Sequence, residues 1–213
     1  DNFPVQGETV LGQLFTTIPG GKGANQAVAA ARLGSNVHML ASVGTDSFGR
    51  ELLEDLKANG VNTDSVMQTE EAATGIANIL LSEGDNRIIV VPGANYLLTE
   101  ANIKRMKETI QQSKFVIMQL EIPIPVVKYT LELCRELNVP VLLNPAPASG
   151  FQLEFMDYVA YLTPNETECE LIFGQNMEAT LEKYPNKLIV TLGSEGARYF
   201  DGTKHILVPG FKT

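Results

Sequence analysis

The sequence predicts an α/β fold: a mostly parallel central sheet with helices on both faces, plus a small β-sheet lid. Three observations carry this. From Thr99 onward, short apolar runs suited to buried strands alternate with helical runs. A glycine-rich turn, Pro19-Gly20-Gly21-Lys22-Gly23, opens directly into a helical pattern. Two strand-rich stretches, near 5–18 and 74–91, break the alternation and so belong to a separate small sheet. Residues 19–73 and 92–213 are therefore expected to form the α/β domain, and 1–18 with 74–91 a lid and dimerisation subdomain.

Taken in order, Gly7–Val10 and Leu14–Ile18 are short, β-branched and punctuated by glycine, which reads as strand. Ala24–Leu33 is helical, with a small-residue face of Ala24, Ala27, Val28 and Ala31 and a stop at Gly34. Val37–Val43 reads as a buried strand, and Asp46–Asn59 as an amphipathic helix closed by Gly60. Thr74–Ser82 and Arg87–Val91 flank Glu83-Gly84-Asp85-Asn86, a hairpin signal. Thereafter Thr99–Ser113 (capped by Thr99), Pro125–Leu137 and Asn165–Phe173 read as helices. Phe115–Leu120, Val141–Asn144, Tyr158–Leu162 and Leu188–Leu192 read as strands, and Gly196–Phe200 with His205–Val208 as a hairpin-like pair.

Composition narrows the function. The 213 residues carry a formal net charge of −9, with 44% hydrophobic and 19% charged residues, as in an ordinary globule. An acidic chain without a long Lys/Arg run is not expected to bind nucleic acid or an anionic membrane surface. No apolar run reaches the ~18 residues of a membrane span. Cys134 and Cys169 make no disulfide framework and read as free thiols of a cytoplasmic protein. The start, Asp1-Asn2-Phe3-Pro4, is no signal peptide and lacks Met, so the chain is expected to begin inside a longer protein.

Five segments could carry chemistry. In Gly20-Gly21-Lys22-Gly23-Ala24-Asn25-Gln26, glycines allow close backbone approach, and the next helix offers unpaired N–H groups. Lys22 and Asn25 add a cation and an amide, which suits a polyhydroxylated or anionic ligand; a tight turn without a ligand is the alternative. Neither a P-loop nor a dinucleotide fingerprint is present, which leaves a nicotinamide oxidoreductase without support. Glu121 follows a candidate parallel strand, where open α/β sheets bind ligands, although a solvated loop carboxylate would give the same pattern. Asn144-Pro145-Ala146-Pro147-Ala148 reads as a rigid turn. Asn165 and Glu168, three apart, could hold a water-bound Mg²⁺ or simply cap a helix. Val190-Thr191-Leu192-Gly193-Ser194-Glu195-Gly196 could let a nucleotide lie on the backbone, or be a plain turn. His38 and His205 have no partners at metal-ligand spacing and read as structural.

Together GGKGANQAVAAARLG (20–34), TGIANILLSEGDN (74–86), GAN (93–95), QLEIP (119–123), NPAPA (144–148), TPNETE (163–168) and TLGSEG (191–196) resemble the ribokinase-like family of sugar and nucleoside kinases, in order and spacing, over essentially the whole chain. The resemblance implies ATP-dependent phosphorylation of D-ribose to ribose 5-phosphate; a related sugar or nucleoside kinase, or a non-catalytic sugar-binding or dimerising fragment, are the alternatives. It implies sugar contacts from Gly20, Gly21, Lys22, Asn25 and Glu121, with Ala77, Ile79 and Val91 of the lid covering the sugar. It places Asn165, Thr191, Gly193, Ser194 and Gly196 at the nucleotide and Glu168 at Mg²⁺ through water. Lid strands of two subunits are expected to pair in a homodimer.

Two departures accompany it. The family's first strand, with an Asn and an Asp for the sugar, would precede Asp1. A Gly-Ala-Gly-Asp segment with the catalytic aspartate, anion hole, adenine pocket and K⁺ loop would follow Thr213. No catalytic residue is therefore assigned within these residues, and the chain as given is expected to be inactive.

Overall fold

The computed structural model describes residues 3–82, 85–174 and 176–211. Its contacts divide the chain into two compact units, Asp1–Leu97 and Leu98–Thr213.

The first unit contains α1 (Lys22–Arg32), β1 (Val37–His38), β2 (Ala41–Gly44), α2 (Ser47–Ala58), β3 (Val61–Asn62), β4 (Val66–Thr69), β5 (Ile76–Ser82) and β6 (Asp85–Val91). Small residues let α1 lie close to its neighbours. Ala24, Ala27, Leu56 and Val61 are buried together, with Val28, Ala31, Val37, Met39 and Leu52 packed against them. The strand expected over Val37–Val43 is two. β1 pairs in parallel with β3, and β2 in parallel with β4. β3 and β4 carry no alternation long enough to announce them in the sequence. α2 starts where expected because the Asp46 carboxylate accepts the Gly49 N–H at 2.9 Å. β5 and β6 form the antiparallel hairpin, with Ile76 opposite Val91 and Ser82 opposite Asp85. Glu83 and Gly84 of its expected turn lie outside the described residues.

One expectation fails here. Residues 7–10 and 14–18 form no strand. Their apolar side chains stand in solvent, as does Leu11 between them at 92% exposure, with Phe15 at 85%. A β-branched run becomes a strand only when another strand takes its N–H and C=O groups. Among the described residues none pairs with this stretch.

The second unit contains α3 (Glu100–Arg105), α4 (Lys107–Gln112), β7 (Val116–Met118), α5 (Ile124–Glu136), β8 (Val141–Leu143), β9 (Tyr161–Leu162), α6 (Glu166–Phe173), α7 (Met177–Lys183), β10 (Ile189–Thr191), β11 (Gly196–Phe200) and β12 (His205–Pro209). The helix expected over Thr99–Ser113 breaks at Met106 into α3 and α4. α7 falls in a stretch that the sequence pattern does not mark as helix. β7, β8 and β9 form a parallel ladder in that order. Parallel bridges Leu162–Leu188 and Asn165–Thr191 set β10 beside β9, and β11 and β12 continue antiparallel.

The register puts Met118, Leu143 and Leu162 on one face, and that face is buried. α5 supplies Val126, Val127, Leu131, Leu133 and Cys134 to the core, with Phe155 fully buried among the largest core side chains. Truncating such a residue, Leu131→Ala for example, costs about 2–5 kcal/mol.

Both cysteines are free and buried, and burial pushes the Cys134 thiol up to about 11 and raises Cys169 as well. Thiolate is the reactive form, so both side chains stay inert at pH 8. A thiol reagent at pH 8 is expected to label neither cysteine in the folded protein and both after denaturation. Rapid native labelling of either would contradict their place in the core.

Candidate active site

Of the predicted residues, the glycine turn with Lys22 and Asn25, and the hairpin residues Ala77, Ile79 and Val91, lie in the first unit. Glu121, Asn165, Glu168, Thr191, Gly193, Ser194 and Gly196 lie in the second.

In the first unit, Gly21 is the N-cap of α1, with φ at 102°, and no side chain caps the helix. That dihedral is open to glycine and strained for other residues. A Cβ on Gly21 would meet nothing within 4 Å, so glycine is needed there for its backbone and not for packing. The Gly21 carbonyl accepts the Asn25 N–H at 2.9 Å, which begins the helix. As N-cap, Gly21 offers no side chain to the first N–H groups of α1, which suits a site for hydroxyl or anionic oxygen. Asn25 lines a depression of about 370 Å³ with Ile18, Pro19, Arg32, Asp55 and Asn59. There the Arg32 guanidinium donates to Asn59 Oδ1 at 2.7 and 3.0 Å.

On the hairpin, Ala77 and Ile79 share a face with Val90 and Ile88. Val91 sits opposite Ile76 and so belongs to the other face. The three expected cover residues are therefore not brought together on one side. Both faces are exposed, Ile79 at 52% and Val91 at 48%.

In the second unit, the candidates gather at one edge of the sheet. Glu121 follows β7, Asn144 follows β8, Asn165 follows β9 and Thr191 ends β10. Because these strands are parallel, all four positions are at carboxyl ends, where open α/β sheets bind ligands. Backbone ties hold the loops in a row. Leu120 N–H donates to the Ala146 carbonyl at 3.1 Å, Asn144 N–H to the Met118 carbonyl at 2.9 Å, and Thr191 N–H to the Pro164 carbonyl at 2.9 Å.

Asn165 and Glu168 form a capping box. Asn165 Oδ1 accepts the Glu168 N–H at 2.8 Å, and Glu168 Oε2 accepts the Asn165 N–H at 2.9 Å. The cap uses one carboxylate oxygen and leaves Oε1 for water or an ion's hydration shell. Among the described residues no cluster of three His, Cys, Asp or Glu could hold a metal directly. The residues thus fit a water-held Mg²⁺ and not an all-protein cage. Gly193 (φ 55°) and Ser194 form a turn ahead of β11. Gly196 is needed for space: a Cβ there would lie 2.0 Å from the Val208 carbonyl oxygen.

The sequence places Asn144 in a rigid turn and gives it no role. The structure buries its Oδ1 without a hydrogen-bond partner. A buried unpaired amide oxygen at a ligand-binding edge is an acceptor that a ligand hydroxyl or a water can satisfy. The NPAPA motif is the signal in the sequence that could have pointed to it.

Comparison with known proteins settles the class. Residues 1–213 match the pfkB family of carbohydrate kinases. The chain belongs to this family. It is 46% identical over 212 residues to a ribokinase of Bacillus subtilis, covering 99% of this chain and 72% of the relative. It is 47% identical to a ribokinase of Lactococcus lactis, covering 100% of this chain and 71% of the relative. Among solved structures, the ribokinase of Thermotoga maritima matches with a TM-score of 0.87 at 33% identity, covering 100% of this chain and 73% of the other. The Arabidopsis thaliana ribokinase, solved with ribose and ATP, matches with a TM-score of 0.85 at 30% identity, covering 98% and 72%. Members of a carbohydrate kinase family transfer phosphate to a sugar hydroxyl, so the carboxyl-end row is the place to seek that chemistry.

The capping box gives a direct expectation. Asn165→Ala should lower unfolding stability by about 1 kcal/mol, while Asn165→Asp should retain most of it. Urea denaturation of the two variants measures this, and equal stability of Ala and Asp variants would rule the cap out as the residue's structural role.

Proposed function

We propose that the protein carrying these residues phosphorylates D-ribose with ATP, giving ribose 5-phosphate. The row Glu121, Asn144, Asn165 and Thr191 at the sheet's carboxyl edge carries this reading, in a chain whose relatives at 46 and 47% identity are ribokinases. In this reading Gly20, Gly21, Lys22 and Asn25 grip sugar hydroxyls from the turn, and Glu121 accepts a hydroxyl hydrogen. Asn165, Thr191, Gly193, Ser194 and Gly196 border the nucleotide. Glu168 keeps its cap on Asn165 through Oε2 and orders the hydration shell of Mg²⁺ through Oε1. The metal, when bound, neutralises phosphate charge. Phosphoryl transfer asks the protein chiefly for positioning and charge stabilisation, which these loops are built to give.

The hairpin is the cover. Ala77 and Ile79 face the sugar, while Val91, on the other face, packs against a second hairpin in a homodimer. A two-stranded sheet alone is marginal in water, and one with apolar side chains on both faces gains most by burying both. Covering the sugar also keeps water from the transferred phosphoryl group. A K⁺ requirement would come from a loop outside these residues.

A kinase assay on the polypeptide that joins these residues to the expected Gly-Ala-Gly-Asp segment tests the reading. Ribose is expected to be preferred over 2-deoxyribose and adenosine. Lys22→Ala and Glu121→Gln should each lower kcat/KM for ribose roughly 10–100-fold, the range for one hydrogen bond to a charged group. Preference for adenosine, or unchanged kcat/KM in both variants, would sink it.

A further inference from the structure

At the foot of the hairpin stands a polar knot that the proposed chemistry does not use. Asp46, the N-cap of α2, accepts from the Thr74 N–H at 2.7 Å through Oδ2 and from the Thr74 hydroxyl at 2.8 Å through Oδ1. The same Oδ1 accepts the Gly49 N–H at 2.9 Å. The Thr74 oxygen in turn accepts the Gly44 N–H at 2.9 Å, so the hydroxyl both donates and accepts. Thr74 is only 6% exposed, although β5, which begins two residues later, is exposed along most of its length.

Four glycines close the knot. A Cβ on Gly44 would lie 2.7 Å from Thr74 N, and one on Gly49 2.1 Å from the Gly44 carbonyl oxygen. At the two strand ends, a Cβ on Gly75 would lie 2.6 Å from the Pro92 oxygen and one on Gly93 2.3 Å from the Ala73 oxygen. Ala94 N–H also donates to the Ala73 carbonyl at 2.8 Å. The Thr74 leg is thus pinned to the start of α2, and the Gly93 leg is held against it, backbone to backbone, at Ala73 and Gly75. Two backbone N–H donors, from Thr74 and Gly49, hold the Asp46 carboxyl below its usual range, and Arg50 adds to this, so the acceptor stays ionised at neutral pH. Higher up, Arg87 stacks over Phe3 at 4.2 Å, a contact with a chain segment that forms no regular structure.

We propose that Asp46 and Thr74 are positioning residues that set the angle at which the β5–β6 hairpin stands, and through it how the sugar is covered, without touching the substrate. A helix cap alone needs only the Gly49 contact. The two bonds that Thr74 donates to Asp46 go beyond the cap and tie the hairpin leg to it. The proposal rests on the hairpin being the sugar's cover, and its test separates the two ideas.

Hydrogen exchange on Thr74→Val and Thr74→Ser, with Asp46→Asn as a second route into the knot, reads the hairpin directly. Thr74→Val, which removes both hydrogen bonds of the hydroxyl, should speed exchange of the 76–82 and 85–91 amides roughly 10–100-fold, and more than it speeds exchange in the middle of α2 and in β4. Thr74→Ser, which keeps the hydroxyl, should restore the slow rate. In the assay polypeptide, Thr74→Val should raise KM for ribose and the rate of ATP hydrolysis without sugar, with a smaller change in kcat for ribose. Unchanged hairpin exchange, or exchange raised equally across the unit, overturns the knot. Faster hairpin exchange with unaltered KM and ATP hydrolysis overturns the positioning role. A wild-type protein that turns over no ribose overturns the cover reading and leaves the exchange result standing by itself.

Discussion

The parallel ladder of β7, β8 and β9, extended by the bridges to β10, is the constraint from which the rest of the second unit follows. Its register buries Met118, Leu143, Leu162, Leu188 and Val190 in the core. A slip of one residue would turn that row to the opposite face and leave the core side chains of α5 without partners. Held in register, the strands deliver four loops to one edge, and each loop brings one polar residue: Glu121, Asn144, Asn165 and Thr191. The site is thus a by-product of apolar packing. Its side chains need not find each other, because the strands beneath them already have.

That arrangement explains what could be read in advance. Strand–helix alternation with flanking glycine and proline is local information, so β7, β8, α5, α6 and the β11–β12 pair were legible with small shifts at their ends. The edge on which Glu121 and Asn165 fall was legible too, since it needs only chain direction. What escaped depends on partners distant in sequence. β3 is two residues long and exists because β1 lies beside it. Residues 14–18 have strand composition and no neighbour to pair with among the described residues. The face of Val91 is set by the register across the hairpin: Ile76 lies across from Val91, which no inspection of β6 alone could tell.

Glycine shows the same division between local and non-local causes. Gly21 is required by its own backbone, at φ 102°, and nothing crowds it. Gly44 and Gly49 have ordinary dihedrals and are required by what lies next to them, each other and Thr74. A glycine of the Gly21 kind announces itself in a turn motif. One of the Gly44 kind is indistinguishable from any glycine in a strand or helix until the fold brings another backbone within reach. The same holds for Asp46, whose capping role with Gly49 is local and whose hold on Thr74, 28 residues away, is not.

The two halves of the candidate machinery consequently differ in kind. The carboxyl-edge loops are set by a buried ladder and tied to one another through the backbone, a frame suited to positioning groups. The hairpin has no core of its own: its side chains are exposed on both faces and its register is held by backbone pairing. Each apolar side chain it buries would contribute about 25 cal/mol per Å² of area removed from water. As the cover we propose, it would have to open to admit substrate, and stronger packing on its faces would work against opening. Stronger bonding at its foot, where Asp46 and Thr74 meet, fixes direction without opposing movement higher up.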